Sequence, residues 1–226
     1  MGNKVISIMG TNGSGKSTLV RKFLPDDAKI IEHPLSRVYD CGTHYVIGRY
    51  DTDCGGLDGL KDFYDVIPLV MEFIKTKDVF IEGVLFGGIY KTPAEIDDMV
   101  TALGHKYYWT KIEITLEECV ESVLIRRVRG GKFDSFEPSR VTNKYNGARS
   151  SFNKAIDTGR LGFFGNRLEC EEVIRNLLLN NDETPYLTKK RIEGPNHPGN
   201  YLGVQHVTKE MRDKYYQSTD LNEFWE

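Results

Sequence analysis

The sequence predicts an α/β fold in which a parallel β-sheet is flanked by helices. Short apolar runs rich in β-branched residues alternate along the chain with longer segments of helical periodicity. The length of 226 residues suits one domain, with or without an appendage. Neither internal repeats nor apolar runs of membrane-spanning length interrupt the alternation.

The N-terminal part supplies three short strands and one long helix. KVISIM at 4–9 is an apolar, β-rich run, and shorter runs of the same kind predict strands at 29–31 and 45–47. Apolar residues recur at helical spacing from 57 to 75. We predict one helix there, bent near Pro68.

The rest of the chain continues the alternation. DVFIEG at 78–83 is a buried-type strand closed by an acid and a glycine, and Thr92 followed by Pro93 is a favourable helix start. The remaining predictions are a strand at 107–114 and helices at 116–129, 138–156 and 169–179. Strands that alternate with helices in this way favour parallel pairing.

The composition changes after residue 180. The segment NDETPYLTKKRIEGPNHPGNYLG is rich in Pro, Gly and Asn, and only 209–216 looks weakly helical. We therefore predict a main domain at 1–180 and a C-terminal extension at 181–226. The tyrosines and Trp225 of the extension suggest that it is anchored on the domain.

Composition and charge restrict the classes of function. The chain is 39% hydrophobic with a net charge of −3, so it is neither disordered nor strongly basic, although a local basic patch could still bind DNA. Four separated cysteines without a CxxC pair favour reduced thiols over disulfides or a zinc site, and the histidines lack metal-ligand spacing. With no secretion signal before the first strand, we expect a cytoplasmic protein.

GTNGSGKS at 10–17 matches the pattern GxxxxGK[ST] in full, between the first strand and a helix predicted at 17–23. Glycines let the backbone curl so that successive amides point at phosphates. In this pattern Lys16 reaches the β- and γ-phosphates, and the Ser17 hydroxyl binds Mg²⁺. The fold is thus predicted to be of the P-loop nucleoside-triphosphate hydrolase type, binding ATP. The predicted nucleotide-binding residues are Gly10, Thr11, Asn12, Gly13, Ser14, Gly15, Lys16, Ser17 and Thr18.

A carboxylate ends the strand predicted at 78–83. If this strand neighbours the first strand, Glu82 lies near the phosphates, where it can order Mg²⁺ through water or accept a proton from a hydroxyl. Glu rather than Asp at this point favours a kinase whose acid acts as a base. A solvated glutamate with neither role is the alternative.

LIRRVRGGK places arginines at the end of a helix, before two glycines. Small-molecule kinases need mobile cations that close over the transferred phosphoryl group. Arg126 and Arg129 are one turn apart, and we predict both as catalytic residues of an Arg-rich lid at about 126–145. The alternative is a basic helix end favoured by the helix dipole.

FFGNRLECEEVIRNLL at 163–178 lies where P-loop kinases of this size place the adenine-contacting loop and the final helix. Asn166 and Arg167 are therefore predicted to flank adenine. Surface residues at a helix start fit the same pattern.

Other classes of P-loop protein fit less well. A GTPase should carry NKxD and DxxG motifs, but NKYN at 143–146 fails the first and no DxxG follows a suitable strand. A motor ATPase is usually larger and has a longer acidic strand end. The short chain and the arginines favour a kinase over an ATP-binding regulator, which needs neither lid arginines nor Glu82.

The order of P-loop, acceptor region, strand-end acid, arginine lid and final helix resembles the thymidylate and deoxynucleoside kinases over about residues 1–180. Thymidylate kinases carry Asp-Arg where this chain has Glu82-Gly83, and the DGxPR-like segment of adenylate kinases is also absent. A narrower resemblance rests on the combined spacing of GRYDTDCGGLDGL, EGVLFGG and LEECVESVLIRRVRGG…FEPSRVTNKY. These segments resemble the bacteriophage 5-hydroxymethyluracil DNA kinases of thymidine hypermodification.

That resemblance implies ATP- and Mg²⁺-dependent phosphorylation of the hydroxymethyl group of 5-hydroxymethyluracil in phage DNA, in the cytoplasm of an infected bacterium. Glu82 would take the hydroxyl proton, and the base would be flipped out of the duplex. The glycine-rich stretch at 48–62 would form the acceptor pocket, with Arg49 on a phosphate and Tyr50 stacking on the base. The predicted acceptor-binding residues are Arg49, Tyr50, Asp53, Gly55, Gly56 and Asp58.

Three alternatives remain open at this point. The glycine-rich stretch could be a structural connection between a strand and a helix. The protein could be a deoxynucleoside monophosphate kinase that acts on free nucleotides, or a P-loop regulator that binds ATP without transfer.

Overall fold

A computed structural model of the chain describes residues 2–51, 55–132, 136–198, 208–210 and 213. In these ranges a seven-stranded β-sheet is flanked by helices. The strands are β1 (Lys4–Met9), β2 (Lys29–Glu32), β3 (Arg37–Asp40), β4 (His44–Ile47), β5 (Asp78–Glu82), β6 (Lys106–Ile112) and β7 (Leu161–Gly165). The α-helices are α1 (Lys16–Arg21), α2 (Val66–Phe73), α3 (Val84–Gly88), α4 (Lys91–Ala102), α5 (Leu116–Arg129), α6 (Ser139–Asp157) and α7 (Arg167–Asn180).

The sheet is mixed rather than wholly parallel. Its strand order is β2-β3-β4-β5-β1-β6-β7, in which the five strands from β4 to β7 pair in parallel and β2 and β3 are added antiparallel. The connections at 33–36 and 41–43 are too short for a crossover, so these neighbours can only form hairpins. The prediction of an α/β sheet is confirmed, whereas β3, α3 and β7 were not predicted.

The core follows from the alternation of side chains along the strands. In β1, Val5 and Met9 pack with α2, α4 and α6 on one face, while Ile6 and Ile8 pack with α1 and α7 on the other. All four side chains are fully buried. A sheet covered on both faces requires near-continuous apolar strands, as the sequence has here.

The single helix predicted at 57–75 is wrong. Two short 3₁₀ helices, Leu57–Gly59 and Phe63–Asp65, precede α2. Leu60 between them is extended, which interrupts any continuous helix. Pro68 is the third residue of α2, where its missing N–H costs no helical hydrogen bond, so it causes no bend.

The described part of the C-terminal extension lies on the domain. A 3₁₀ helix at Thr184–Thr188 carries the fully buried Tyr186, whose hydroxyl is 2.8 Å from Thr110 Oγ1. Residues 191–197 then run along α6, and we call them the strap. The helix predicted at 209–216 falls largely outside the described residues. None of the helices in the described ranges has the length and apolar content needed to cross a bilayer.

Candidate active site

The candidate site lies where the carboxyl ends of adjacent parallel strands meet. β5 neighbours β1, with Ile8 opposite Glu82. The chain leaves β1 through a glycine-rich turn at residues 10–15, the first loop, which leads directly into α1. This adjacency is the condition under which Glu82 was predicted to lie near the first loop.

The first loop depends on glycine for its shape and its fit. Gly13 and Gly15 have φ of +80° and +84°, a region that other residues enter only with strain. A Cβ on Gly13 would lie 2.7 Å from the Cys119 carbonyl oxygen of α5. Glycine therefore lets the first loop pack against α5 at Gly13 and beside the Arg167 side chain at Gly15.

Lys16 is buried behind the first loop, with 5% of its surface exposed. Its Nζ donates a hydrogen bond of 2.9 Å to the Thr11 carbonyl. Burial lowers the pKa of Lys16, while the charges of Glu82 and Asp58 act in the opposite direction. An anion placed beside this ammonium group would favour its charged form.

Ser17 joins the first loop to the strand-end acid. Its hydroxyl donates to Glu82 Oε1 at 2.6 Å and accepts from the Gly55 amide at 3.2 Å. Glu82 is almost fully buried, and this burial raises the pKa of its carboxyl group. The three groups thus form one chain of hydrogen bonds across the site.

A second loop, described at residues 48–51 and 55–60, lies on the other side of the site. The backbones of Arg49 and Gly56 exchange two hydrogen bonds, of 2.9 and 3.1 Å. Gly56 has φ of +80°, and a Cβ there would lie 2.6 Å from Glu82 Cδ. Asp58 is exposed at the loop end, and its carboxylate accepts the Val84 amide of α3 at 3.0 Å.

Among the side chains predicted to bind an acceptor, Arg49 is exposed and Tyr50 is half-buried. Arg49 pairs with Asp51 at 2.9 Å. A Cβ on Gly55 would lie 2.6 Å from the Tyr50 ring, so the loop backbone covers part of that ring. The Tyr50 hydroxyl is buried with no hydrogen-bond partner in the described structure, and burial raises the pKa of Tyr50. Asp53 lies outside the described residues.

Arg21 is a basic residue that the sequence reasoning missed. Its guanidinium carbon is 5.8 Å from the centre of the Tyr50 ring, and its charge acts to lower the pKa of Glu82. Arg21 follows Ser17 by four residues on α1, so the two share a helix face. That spacing was the available signal.

The arginines at the end of α5 do not all face the first loop. Arg126 is close enough to contribute to the lowered pKa of Lys16. Arg127 instead lies over the Phe136 ring, 5.7 Å from its centre. Arg129 is the half-buried last residue of α5, and the loop that follows it includes residues 133–135, outside the described ranges.

Beside the first loop is a cavity of about 550 Å³. Its lining residues are Ser14, Ile112, Glu113, Ile114, Thr115, Glu118, Tyr145, Asn166, Arg167 and Leu168. Arg167 also lies along the first loop, since a Cβ on Gly15 would be 3.5 Å from its Cδ. The Asn166 side chain caps α7 by accepting from the Glu169 amide at 3.0 Å, so its side-chain oxygen already has a structural partner.

The lining residue Glu113 and its partner Lys111 were not predicted as site residues. Lys111 is buried at the end of β6 and pairs with Glu113 Oε2 at 2.5 Å. Its ammonium group lies 5.8 Å from the centre of the Tyr145 ring. Among the described residues no cluster of three or more His, Cys, Asp or Glu has the arrangement of a metal site.

Known proteins similar to this chain identify its family. No protein-family model matches the chain. It is 33% identical to the 5-hmdU DNA kinase of Delftia phage PhiW-14 over a 234-residue alignment, which covers 94% of this chain and 89% of the relative. It is 32% identical over 138 residues to the 5-hmdU DNA kinase of Pseudomonas phage PaMx11, covering 55% of this chain and 69% of that protein.

These relatives place the chain among kinases. It belongs to the family of the phage 5-hmdU DNA kinases. The family resemblance stated from the sequence is thereby confirmed.

Proposed function

We propose that this protein is a P-loop kinase that transfers the γ-phosphoryl group of ATP to the hydroxymethyl group of 5-hydroxymethyluracil in DNA. The observation that carries the proposal is the Ser17 hydroxyl bonded to Glu82 at 2.6 Å, beside the buried Lys16. The two phage relatives are named for this acceptor, and they support it for this chain.

The residues of the first loop fit a triphosphate. Gly13 and Gly15 leave the backbone bare where a Cβ would meet α5 or Arg167. Lys16 is buried, and its Nζ donates to the Thr11 carbonyl rather than to a carboxylate. Phosphate oxygens there would give this ammonium group a negatively charged hydrogen-bond partner. Arg126, which acts electrostatically on Lys16, is placed to stabilise the transferred group from the lid side.

Ser17 and Glu82 also fit Mg²⁺, because oxygen ligands are those that this ion prefers. Ser17 would ligate the ion directly and Glu82 through water. When bound, Mg²⁺ would neutralise charge on the phosphates. Ser17 would then orient its oxygen toward the ion instead of toward the Gly55 amide.

Glu82 is the proposed base for the acceptor hydroxyl. Its carboxyl group is 1% exposed, and its raised pKa makes the carboxylate a better proton acceptor than an exposed glutamate. The proton of the attacking hydroxyl would pass to an Oε atom as the oxygen bonds to the γ-phosphorus, while the bond from the γ-phosphorus to the β–γ bridging oxygen breaks and ADP leaves. Exclusion of water at this position protects the transfer from hydrolysis.

The second loop is the proposed acceptor pocket. A base within a duplex cannot reach a buried carboxylate, so it would be flipped out. Arg49 is exposed and available to a backbone phosphate. Tyr50 would stack on the base, and since Gly55 covers part of its ring, the Gly55 segment would have to shift when the acceptor binds. The 550 Å³ cavity on the far side of the first loop would take the nucleoside of ATP, between Arg167 and Tyr145.

Label transfer from γ-labelled ATP with Mg²⁺ tests this proposal. The acceptors are duplex DNA containing 5-hydroxymethyluracil, the same duplex with thymine, and a panel of free deoxynucleoside monophosphates. Label in the modified duplex alone is the expected result. Label on a free monophosphate would replace the proposal by a nucleotide kinase, and ATP binding without transfer to any acceptor would identify a regulator.

Salt dependence gives a second test of the acceptor. A protein that contacts several DNA phosphates releases counterions, and its affinity falls steeply as salt rises. The KM for modified DNA should therefore rise with salt much more than the KM for ATP. Equal salt dependence of both constants would contradict a DNA acceptor.

A further inference from the structure

The strap is bound to one face of α6 by side chains at helical spacing. Asn146, Arg149, Asn153 and Asp157 are separated by three, four and four residues, which places them in one row on the helix. Each bonds to the strap between residues 191 and 197. The contact is therefore a continuous line along α6 rather than a single anchor.

Arg149 is the centre of that line. Its side chain is buried, and its guanidinium group donates to the backbone carbonyls of residues 192–195. The bond to the Pro195 carbonyl measures 2.9 Å. A buried guanidinium held by carbonyls fixes the backbone path of the strap, whatever side chains the strap carries.

Two asparagines make matching contacts on either side of Arg149. Asn153 donates to the Ile192 carbonyl at 3.0 Å and accepts from the Ile192 amide at 2.9 Å. Asn146 donates to the His197 carbonyl at 2.6 Å and accepts from the His197 amide at 3.1 Å. The two pairs are seven residues apart on α6, which is about two turns.

The Asn146–His197 pair differs from the Asn153–Ile192 pair in the residues that lie beside it. The His197 ring packs edge-on against Tyr145, with ring centres 5.6 Å apart. Tyr145 is 8% exposed and forms part of the wall of the 550 Å³ cavity, which Ser14 of the first loop also lines. Lys111 lies over the same ring. The N-terminal end of α6 also reaches the first loop, through a hydrogen bond of 3.4 Å from Thr11 to the Val141 carbonyl.

We propose that the strap positions the wall of the nucleotide cavity: Asn146 places His197, and His197 holds Tyr145 in the orientation that nucleoside binding requires. This inference rests on the proposed function, because it takes the 550 Å³ cavity as the site of the ATP nucleoside. Asn146 and His197 are positioning residues, since they act on the cavity through Tyr145. The strap thereby contributes to ATP affinity through Tyr145, although none of residues 191–197 is among the described residues that line the cavity.

The two asparagine pairs provide a matched test in the full-length protein. Asn146→Ala and Asn153→Ala each remove two hydrogen bonds to the strap, and we expect similar losses of melting temperature. Only Asn146→Ala and His197→Ala should weaken ATP binding, by about tenfold in a calorimetric Kd, because a loosened wall loses preorganisation. His197→Phe keeps an aromatic ring against Tyr145 and should restore most of the affinity. The KM for the DNA acceptor should stay within about twofold in all variants, a difference of ~0.4 kcal/mol.

Equal ATP affinities in Asn146→Ala and Asn153→Ala would show that the strap only stabilises the fold, and would overturn the inference. So would an unchanged Kd in His197→Ala. A wild-type protein that binds no ATP would overturn the proposed function together with the inference. An ATP-binding protein that phosphorylates a different acceptor would overturn only the acceptor assignment, and the asparagine comparison would still decide the role of the strap.

Discussion

The two loops of the site use glycine in different ways. In the first loop, glycines at 10, 13 and 15 turn the chain between β1 and α1 within six residues. In the second loop, Gly55 and Gly56 make space for neighbouring side chains: Gly55 lies against Tyr50, five residues earlier, and Gly56 lies against Glu82 of β5. The first loop is thus shaped by its own sequence, and the second by what surrounds it.

This difference makes the first loop the rigid side of the proposed reaction and the second loop the adaptable side. In the proposed function the first loop would bind phosphates, which every ATP-dependent kinase shares. The second loop would have to admit the base beside Glu82. The two sides meet at Ser17, which bonds to both Glu82 and the Gly55 amide.

We expect Glu82→Gln to have the largest effect on activity, because residues of both sides of the site lie against the Glu82 carboxylate. The amide can still accept the Ser17 hydrogen bond but is a very poor base. We expect kcat for phosphoryl transfer to fall by about 10²- to 10⁴-fold, with ATP affinity nearly unchanged. Steady-state kinetics and ATP titration measure the two quantities. The exposed Glu95→Gln on α4 is the control, and full activity of Glu82→Gln would exclude the base role.

Lys16→Ala tests the first loop alone. Removing a buried cation from the phosphate side should lower kcat by about 10²- to 10³-fold and weaken ATP binding. The KM for DNA should change little, because the second loop is not altered. Lys75→Ala removes an exposed lysine near the end of α2 and should be neutral. A Lys16 variant that lost DNA affinity but retained ATP affinity would reverse the assignment of the two sides.

Gly56→Ala tests whether the second loop needs space at Glu82. The new Cβ would lie 2.6 Å from Glu82 Cδ, and the residue would keep a φ of +80°. Gly42→Ala is the control, since its φ is +82° and no atom lies within 4 Å of its new Cβ. We expect about 1–2 kcal/mol of destabilisation at Gly42 from the φ angle. At Gly56 the contact should add about 1–3 kcal/mol and reduce kcat as well.

Chemical denaturation measures the stability of both glycine variants, and label transfer measures their kcat. Equal destabilisation would mean that the second loop moves away from Glu82 without cost. In that case the close approach of Gly56 is not part of the working site.

Arg49→Ala tests an exposed residue of the proposed acceptor pocket. We expect the KM for modified DNA to rise about tenfold, as for the loss of one charge-assisted hydrogen bond, while the KM for ATP stays constant. The number of counterions released on DNA binding, measured from the salt dependence of affinity, should also decrease by about one. Arg37→Ala is the control, because Arg37 shares the partner Asp51 at 3.4 Å but starts β3. An unchanged KM for DNA would count against the pocket.

Features set by neighbouring residues could be predicted from the sequence, whereas features that depend on distant contacts could not. Helix α5 at Leu116–Arg129 was predicted with its observed bounds, because Thr115 and Glu118 form a capping box and apolar residues keep a helical period. The first loop was predicted as a motif, since its geometry depends on local glycines. Glu82 could be placed only on the condition that β5 neighbours β1, a contact between residues more than seventy positions apart.

The second loop shows why the rest could not be predicted. Apolar residues at helical spacing suggested a helix from 57 to 75, but Asp62 begins a new turn by accepting the Tyr64 amide at 2.9 Å. The burial of Gly56 against Glu82 is a tertiary contact with no local signature. The cavity wall formed by Glu113 and Tyr145 likewise depends on how distant elements meet. The role of Asn166 as the cap of α7 is local by contrast, since Asn166 and Glu169 form a capping box.

The smallest predicted effect concerns a hydrogen bond that connects the strand before the second loop to the residues that follow α1. His44 in β4, shortly before the second loop, bonds through Nε2 to the Phe23 carbonyl just after α1, at 2.7 Å. A carbonyl only accepts, so Nε2 carries the hydrogen, and Nδ1 is free to accept the Thr43 hydroxyl at 3.0 Å. This neutral ring is fully bonded, and burial lowers the pKa of His44 below its ordinary 6.5.

Because the folded-state pKa is lowered, the unfolded chain takes up the proton first as the solution is acidified. The stability that His44 contributes is therefore present at neutral pH and is lost as pH falls below about 6.5. His44→Gln should lower the melting temperature at neutral pH by about 2–4 °C, which corresponds to ~1 kcal/mol in a chain of this size. It should also flatten the decline between about pH 7 and pH 5.5. His105→Gln, at a ring that accepts the Asn3 amide instead, controls for loss of an imidazole elsewhere. If His44→Gln keeps the wild-type slope, the imidazole does not join the two sides, and Ser17 would be the connection to examine between them.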